Sequence, residues 1–173
     1  FSDSEFKERV FRAQKIMHKY RLDAIFVTTP SNVRYFTGFD SQFWESPTRP
    51  WFVIIPLDGK PVAVVPDIGG SEMALTWLDD IRTWVSPQPE DDGVSLLKST
   101  LEESGKRFGR IGAELGREMS LRMPVTDFLK LRESINAEIV DGSPAIWDMR
   151  MIKTDAEVRC IRHICGIVSD AYE

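Results

Sequence analysis

The sequence predicts an α/β fold, in which a mixed, mostly parallel sheet of about six strands has helices on both faces and includes one hairpin. Short apolar runs of strand length alternate along the chain with longer segments whose apolar residues have helical spacing. Two of the apolar runs flank Asp58-Gly59, a dipeptide typical of hairpin turns. With 42% hydrophobic and 28% charged residues, the composition is that of a globular domain.

Apolar spacing and turn residues place the individual elements along the chain. In chain order, the predicted elements are a helix at 3–20, a strand at 23–29, a short helix at 31–39, hairpin strands at 51–56 and 61–66, a helix at 69–78, a strand at 81–85, a helix at 90–105, a strand at 110–115, a helix beginning near 120, a strand at 137–141, a short helix from 143 and a last helix from 154 to 173.

Residues that favour helix starts precede several of the helices. The predicted N-caps are Ser2, Ser31, Ser120 and Thr154. Glu5 and Glu157 each lie three residues after one of these caps, which predicts a capping box at both places. Gly38 is the predicted terminator of the short helix at 31–39.

The last helix has an apolar seam and no closing signal. Apolar residues recur at spacings of three and four, at Val158, Ile161, Cys165, Val168 and Tyr172. No glycine, proline or basic last turn closes the far end of this helix. Because the strands stop near Arg150, we expect a domain boundary there, with one domain at 1–150 and a separate helix at 151–173.

Composition excludes several functional classes. The formal net charge of −5 argues against a nucleic-acid partner and against an anionic membrane surface. No apolar run reaches the roughly 20 residues that span a bilayer, and we identify no signal peptide. Cys160 and Cys165 are about 140° apart around a predicted helix, so they should not pair. Reduced thiols predict a cytoplasmic location.

A search for catalytic motifs gives little. The two histidines, His18 and His163, lie on separate helices without metal-ligand spacing. The sequence contains no H-E-x-x-H motif, no G-x-S-x-G motif and no phosphate-binding loop. We therefore expect no catalytic residue, no cofactor and no metal ligand in this chain.

The loop at 40–51 is the best candidate for a binding site, because long loops between compact elements often carry function. It contains Phe43, Trp44 and Arg49, and aromatic walls beside a guanidinium suit a small ligand with an apolar body and a carboxylate. The alternative is that the aromatic residues fold back against the edge of the sheet and that Arg49 is solvated.

Three stretches together resemble one family. "NVRYFTGF" at 32–39 is similar to a signature of the N-terminal domain of the creatinase, prolidase and aminopeptidase P family. "RIGAE" at 110–114 resembles a later strand of that domain, and "RMIKTDAEVRCIR" at 150–162 resembles the segment that opens the catalytic domain. The stretches occur in the family's order, and the α/β alternation agrees along nearly the whole chain.

The resemblance implies a creatinase N-terminal-like fold, truncated before a C-terminal catalytic domain. In such a family the parent enzyme is expected to be an Xaa-Pro peptidase that uses two divalent metals (Mn, Co or Zn), unless it is creatinase-like. The resemblance further implies a homodimer, in which the 40–51 loop limits substrate length at a neighbouring active site and holds a terminal group of a small peptide or carboxylate substrate. The alternatives are a binding or assembly module that has lost catalysis, and a domain of a creatinase or of a lyase acting on small zwitterions.

Overall fold

A computed structural model describes residues 1–42, 49–104 and 106–172. These residues form six strands and seven helices. In chain order, they are α1 Asp3–Tyr20, β1 Ala24–Val27, α2 Pro30–Thr37, β2 Phe52–Pro56, β3 Val62–Pro66, α3 Asp67–Met73, β4 Asp80–Trp84, α4 Val94–Glu103, β5 Arg110–Ala113, α5 Val125–Ser134, β6 Glu138–Asp141, α6 Ser143–Met151 and α7 Asp155–Ala171.

The six strands form one mixed sheet in the order β4-β3-β2-β1-β5-β6. Strand β1 pairs in parallel with β5 and antiparallel with β2, and β2 and β3 form the predicted hairpin. The two outer pairs, β3 with β4 and β5 with β6, are parallel. The predicted fold class is therefore confirmed, as a mostly parallel sheet with one hairpin.

Helices cover both faces because side chains along the central strands alternate between two cores. Ile25 and Val53 point into a core shared with α1, α2 and α6. Phe26 and Phe52 point to the other face, where they meet α4 and α5, and their rings lie edge to face with centroids 6.4 Å apart. The central strands are thus buried on both sides, which explains their near-continuous apolar sequence.

Two predicted N-caps are wrong. Helix α2 begins at Pro30 with Thr29 as its N-cap. Proline suits the first helical position because its φ is already helical and because an N–H group there would have no partner within the helix. Ser31 therefore lies inside the helix. Helix α5 begins at Val125, after Pro124, so Ser120 lies outside it. Pro124 disfavours helical geometry in the residue before it, and the helix starts only after that point.

The two predicted capping boxes have different outcomes. Thr154 and Glu157 form the expected reciprocal pair at the start of α7. Ser2 occupies the N-cap position of α1, but its side chain makes no capping hydrogen bond and instead contacts the hydroxyl of Ser4 at 2.8 Å. The carboxylate of Glu5 is engaged elsewhere, because it accepts a hydrogen bond from Thr154 at 2.7 Å.

Helices α3 and α4 are shorter than predicted. The expected helix at 69–78 runs from Asp67 to Met73, and both the amide and the hydroxyl of Thr76 bond to the carbonyl oxygen of Met73. This local alternative to helical hydrogen bonding ends the helix early. The expected helix at 90–105 runs from Val94 to Glu103.

Helix α7 packs little of its surface. It has 17 residues, and none of them is buried. The apolar side chains of the predicted seam remain exposed, as do Ile164 and Ile167. Within the described part of the chain, no helix is long and apolar enough to cross a membrane.

A close approach between Trp51 and Gly69 joins the start of β2 to α3. A Cβ atom at Gly69 would lie 1.8 Å from the Trp51 ring, whereas a Cβ at Gly166 in α7 would meet nothing within 4 Å. Only glycine therefore fits at position 69 without moving a buried tryptophan.

We expect Gly69→Ala to lower the free energy of unfolding by about 2 kcal/mol, because the added methyl group overpacks this contact. Urea denaturation monitored by circular dichroism would measure the change. The matched control is Gly166→Ala, which should not lower stability because alanine is favoured within a helix. Equal stability of Gly69→Ala and the parent chain would contradict the expected clash.

Candidate functional site

The structure describes only one of the three predicted binding residues. Arg49 is exposed and has a φ of +66°, in the left-handed region. Phe43 and Trp44 lie outside the described residues. Trp51, at the end of the same loop, is 4% exposed and stacks on Phe39 with ring centroids 5.0 Å apart. The packing of Trp51 does not decide between the two interpretations of Phe43 and Trp44, and the ligand role of Arg49 stays a prediction.

A buried carboxylate lies where the carboxyl ends of β1 and β5 meet. Glu114 follows β5, is 1% exposed and accepts hydrogen bonds from the turn between β1 and α2. Its Oε2 accepts from the amide of Thr28 at 2.6 Å, the hydroxyl of Thr28 at 2.8 Å and the amide of Thr29 at 3.0 Å. Its Oε1 accepts from the hydroxyl of Thr29 at 2.6 Å and from Nδ2 of Asn32 at 2.6 Å.

These contacts define the Glu114 cluster, which consists of Thr28, Thr29, Asn32 and Glu114. The carboxylate faces the N-terminus of α2, where amide groups and the helix dipole favour negative charge. Five donors satisfy both oxygens, so the buried charge is compensated by charge-assisted hydrogen bonds. The cluster thus fills with its own carboxylate the position at which an anionic ligand could bind.

Arg150 extends the cluster to α6. One of its guanidinium nitrogens donates to Oδ1 of Asn32, whose amide nitrogen donates to Glu114. The three sequence stretches that carry the family resemblance therefore meet at one point, through Asn32, Glu114 and Arg150. Sequence reasoning identified these stretches but assigned no role to the glutamate. The available signal was a lone acidic residue directly after a buried strand.

A cleft of ≈ 570 Å³ lies beside the Glu114 cluster, between α2, α6 and the first turns of α7. Its walls are largely apolar, with Met119, Ile146 and Trp147 among the lining residues. Two basic residues, Arg150 and Lys153, also line it, together with two acidic residues, Glu118 and Glu157. Chemically, the cleft can accept an apolar group.

The described residues do not fit the divalent metals that the resemblance implies for the parent enzyme. Within residues 1–42, 49–104 and 106–172, no group of three His, Cys, Asp or Glu side chains could hold a metal ion. His18 lies on α1 and His163 lies on α7. Hydrolytic metal centres need several such ligands from different elements, so no metal chemistry can be derived from these residues.

The chain is similar in sequence to known proteins over most of its length. The sequence model described as Creatinase/Prolidase N-terminal domain matches residues 9–152. The chain is 29% identical to the creatinase of Bacillus sp. (strain B-0618) over 94% of its own length and 38% of that protein. It is 26% identical to the Xaa-Pro dipeptidase of Pyrococcus furiosus over 95% of its length and 41% of that protein. The chain therefore spans about two fifths of the length of these relatives.

The fold is similar to solved structures as well. A recombinant prolidase from Thermococcus sibiricus superposes with a TM-score of 0.77 at 21% identity, covering 96% of this chain and 42% of that one. At this identity the likeness supports the fold and extends over nearly the whole chain.

We expect Glu114→Gln to lower the free energy of unfolding by about 3 kcal/mol, because the new amide would turn a donor toward donors that now bond to a carboxylate. Urea denaturation would measure this loss. Glu118→Gln is the matched control, since Glu118 is exposed and the change should stay within about 0.5 kcal/mol. If the two variants were equally stable, the hydrogen bonds of the Glu114 carboxylate would not contribute to the stability of the fold.

Proposed function

Because the chain belongs to the Creatinase/Prolidase N-terminal domain family, we propose that it is the non-catalytic N-terminal domain of a longer hydrolase of the Xaa-Pro peptidase type. In this proposal the chain contributes substrate gating and dimerisation to a neighbouring active site. The chemistry, with its two divalent metals, belongs to a catalytic domain that follows in sequence.

One observation carries this proposal. The match covers nearly all of this chain but only about two fifths of relatives whose names denote different activities, creatinase in one case and Xaa-Pro dipeptidase in the other. A region shared by proteins with different reactions is more suited to a common structural or binding task than to the reaction itself.

The exposed face of α7 supports a domain boundary near residue 150. Val158, Ile161 and Val168 lie at helical spacing on a helix with no buried residue. Fully burying one such side chain stabilises a protein by about 1.5–3 kcal/mol, so this face is suited to packing. We propose that residues 1–150 form the N-terminal domain and that 151–173 begin the catalytic domain, which covers this face.

The 40–51 loop is the proposed gating element. Arg49 is exposed at its end, where a guanidinium can reach a carboxylate of a small substrate held by another subunit. Phe43 and Trp44 would supply the apolar wall of the same site. A homodimer would bring this loop to the partner's active site.

A second candidate is a creatinase-like parent. The 29% identity to the Bacillus creatinase favours this candidate, and creatine is a small molecule that carries a guanidinium group and a carboxylate. Arg49 would then bind the carboxylate of a small zwitterion instead of a peptide terminus. A binding module without catalysis would be indicated if the sequence that follows residue 173 lacked the carboxylate and imidazole ligands of a two-metal site.

We expect the 173-residue chain to hydrolyse neither Xaa-Pro dipeptides nor creatine, with or without Mn²⁺, Co²⁺ or Zn²⁺. Amine release from a dipeptide series and urea release from creatine would be measured on the purified chain. Turnover of either substrate that copurifies with this chain, with or without added metal, would show that it carries chemistry, and the proposal would be wrong.

In the longer protein, we expect Arg49→Ala to raise KM for a carboxylate substrate about tenfold and to leave kcat nearly unchanged, since the lost contact binds ground state and transition state alike. Steady-state kinetics would separate the two constants. Arg132→Ala removes an exposed arginine on α5 and serves as the control. A fall in kcat at constant KM would argue against a substrate-holding role.

A further inference from the structure

The segment between α6 and α7 is tied to α1 by polar side chains. The hydroxyl of Thr154 donates to Oε1 of Glu5 at 2.7 Å, across 149 residues of sequence. Nη1 of Arg12 donates to the carbonyl oxygen of Ile152 at 3.3 Å. The first turn of α7 is therefore held against the first turns of α1.

Arg9 lies at the centre of these contacts and is 3% exposed. Its Nη1 donates to the carbonyl oxygen of Tyr35 at 2.8 Å, and its guanidinium lies 4.6 Å from the centroid of the Tyr35 ring. Its Nη2 lies 3.4 Å from Oε1 of Glu5 and 3.5 Å from Oε1 of Glu157. One buried cation thus faces two carboxylates, one from α1 and one from α7.

These two ion pairs compensate the buried charge. Nε and Nη2 of Arg9 have no hydrogen-bond partner within the described part of the chain, so neutralisation at Nη2 depends on the nearby carboxylates. A buried guanidinium without such partners would be strongly disfavoured. The charge of Arg9 therefore favours an arrangement in which Glu157, and with it α7, stays close to α1.

Tyr35 connects the same region to α2 and α6. Its hydroxyl donates to the carbonyl oxygen of Met149 at 3.2 Å and accepts from Arg12. Burial raises the pKa of this hydroxyl above its usual range, although the Arg12 guanidinium partly opposes the change. The hydroxyl therefore remains protonated and able to donate at neutral pH.

Helix α7 has no apolar anchor in the described part of the chain that could replace these contacts. None of its residues is buried, so the polar contacts of its first turn are the main restraint on its direction. The capping box of Thr154 and Glu157 places both side chains on the turn that faces α1. The same two residues thus begin the helix and attach it.

We propose that Glu5, Arg9, Thr154 and Glu157 form a junction cluster that fixes the direction in which α7 leaves the α/β domain. A consequence that rests on the proposed function is that the junction cluster positions the catalytic domain relative to the 40–51 loop. Glu5, Arg9, Thr154 and Glu157 are positioning residues, which act through the helix they hold and not by contact with substrate.

The test measures the direction of α7 in the 173-residue chain. Spin labels would be attached at Cys165 on α7 and at the thiol introduced by Ser99→Cys on α4, with Cys160→Ser to leave no third thiol. Double electron–electron resonance then gives the distribution of distances between the labels. We expect a narrow distribution for the parent chain, and one about twofold wider for Arg9→Met because the restrained orientation is lost.

Glu5→Ala keeps the test decisive if Arg9→Met does not fold. It removes the acceptor of Thr154 and one partner of Arg9 while leaving the α7 capping box intact, and it should also widen the distribution about twofold. Glu8→Ala, at an exposed glutamate on α1, should leave the distance distribution unchanged. A broad parent distribution, an unchanged distribution in folded Glu5→Ala, or equal widening by Glu8→Ala would each overturn the proposal.

This measurement does not depend on hydrolysis, so the two proposals fail separately. Turnover by the 173-residue chain would refute the proposed function and leave the junction cluster standing. A freely moving α7 would refute the junction cluster and leave the assignment of a non-catalytic domain intact.

Discussion

The carboxylate of Glu114 is the contact on which the arrangement of this end of the sheet depends. It lies at the boundary between β1 and β5, where the chain turns in one direction after β1 and in the other after β5. In open α/β sheets such a boundary leaves a crevice in which ligands commonly bind. Here a side chain of the domain occupies the crevice, binds the amides at the start of α2 and, through Asn32, holds Arg150 on α6. The hydrogen bonds of Glu114 therefore connect the end of β5 to α2 and, through Asn32, to α6 at a position that could otherwise bind an anion.

These contacts explain why the sequence shows the family resemblance but not the roles of Asn32, Glu114 and Arg150. The family-like stretches at 32–39, 110–114 and 150–162 lie far apart in the chain, and their polar residues meet only in the folded structure. Local pattern predicts strand, helix and turn, and it did so for nearly every element of this sheet. It contains no information about which acceptor a distant asparagine or arginine will find, so Glu114 could be identified as part of a motif and not as its centre.

The helix caps illustrate the same limit at finer scale. Thr154 with Glu157, and Ser2 with Glu5, have identical spacing, yet only the first pair forms a capping box. The carboxylate of Glu5 accepts a hydrogen bond from Thr154, 149 residues away, instead of the capping hydrogen bond from the backbone of Ser2. At Ser31 and Ser120 a nearby proline sets the helix start, a rule that sequence alone contains. The ligand role of Arg49 rests on its setting in a long loop and stays a prediction, whereas the junction cluster around Arg9 required the structure.

The two ends of the 40–51 loop are held more firmly than its sequence suggests. The chain leaves α2 at Gly38, whose φ of +78° ends the helix, and a Cβ there would lie 2.8 Å from the Phe6 ring. It returns at Trp51, which stacks on Phe39, so aromatic packing closes the base of the loop. The fixed ends of the loop belong to a fold that also occurs in relatives named for different reactions, so the fold alone does not specify one reaction.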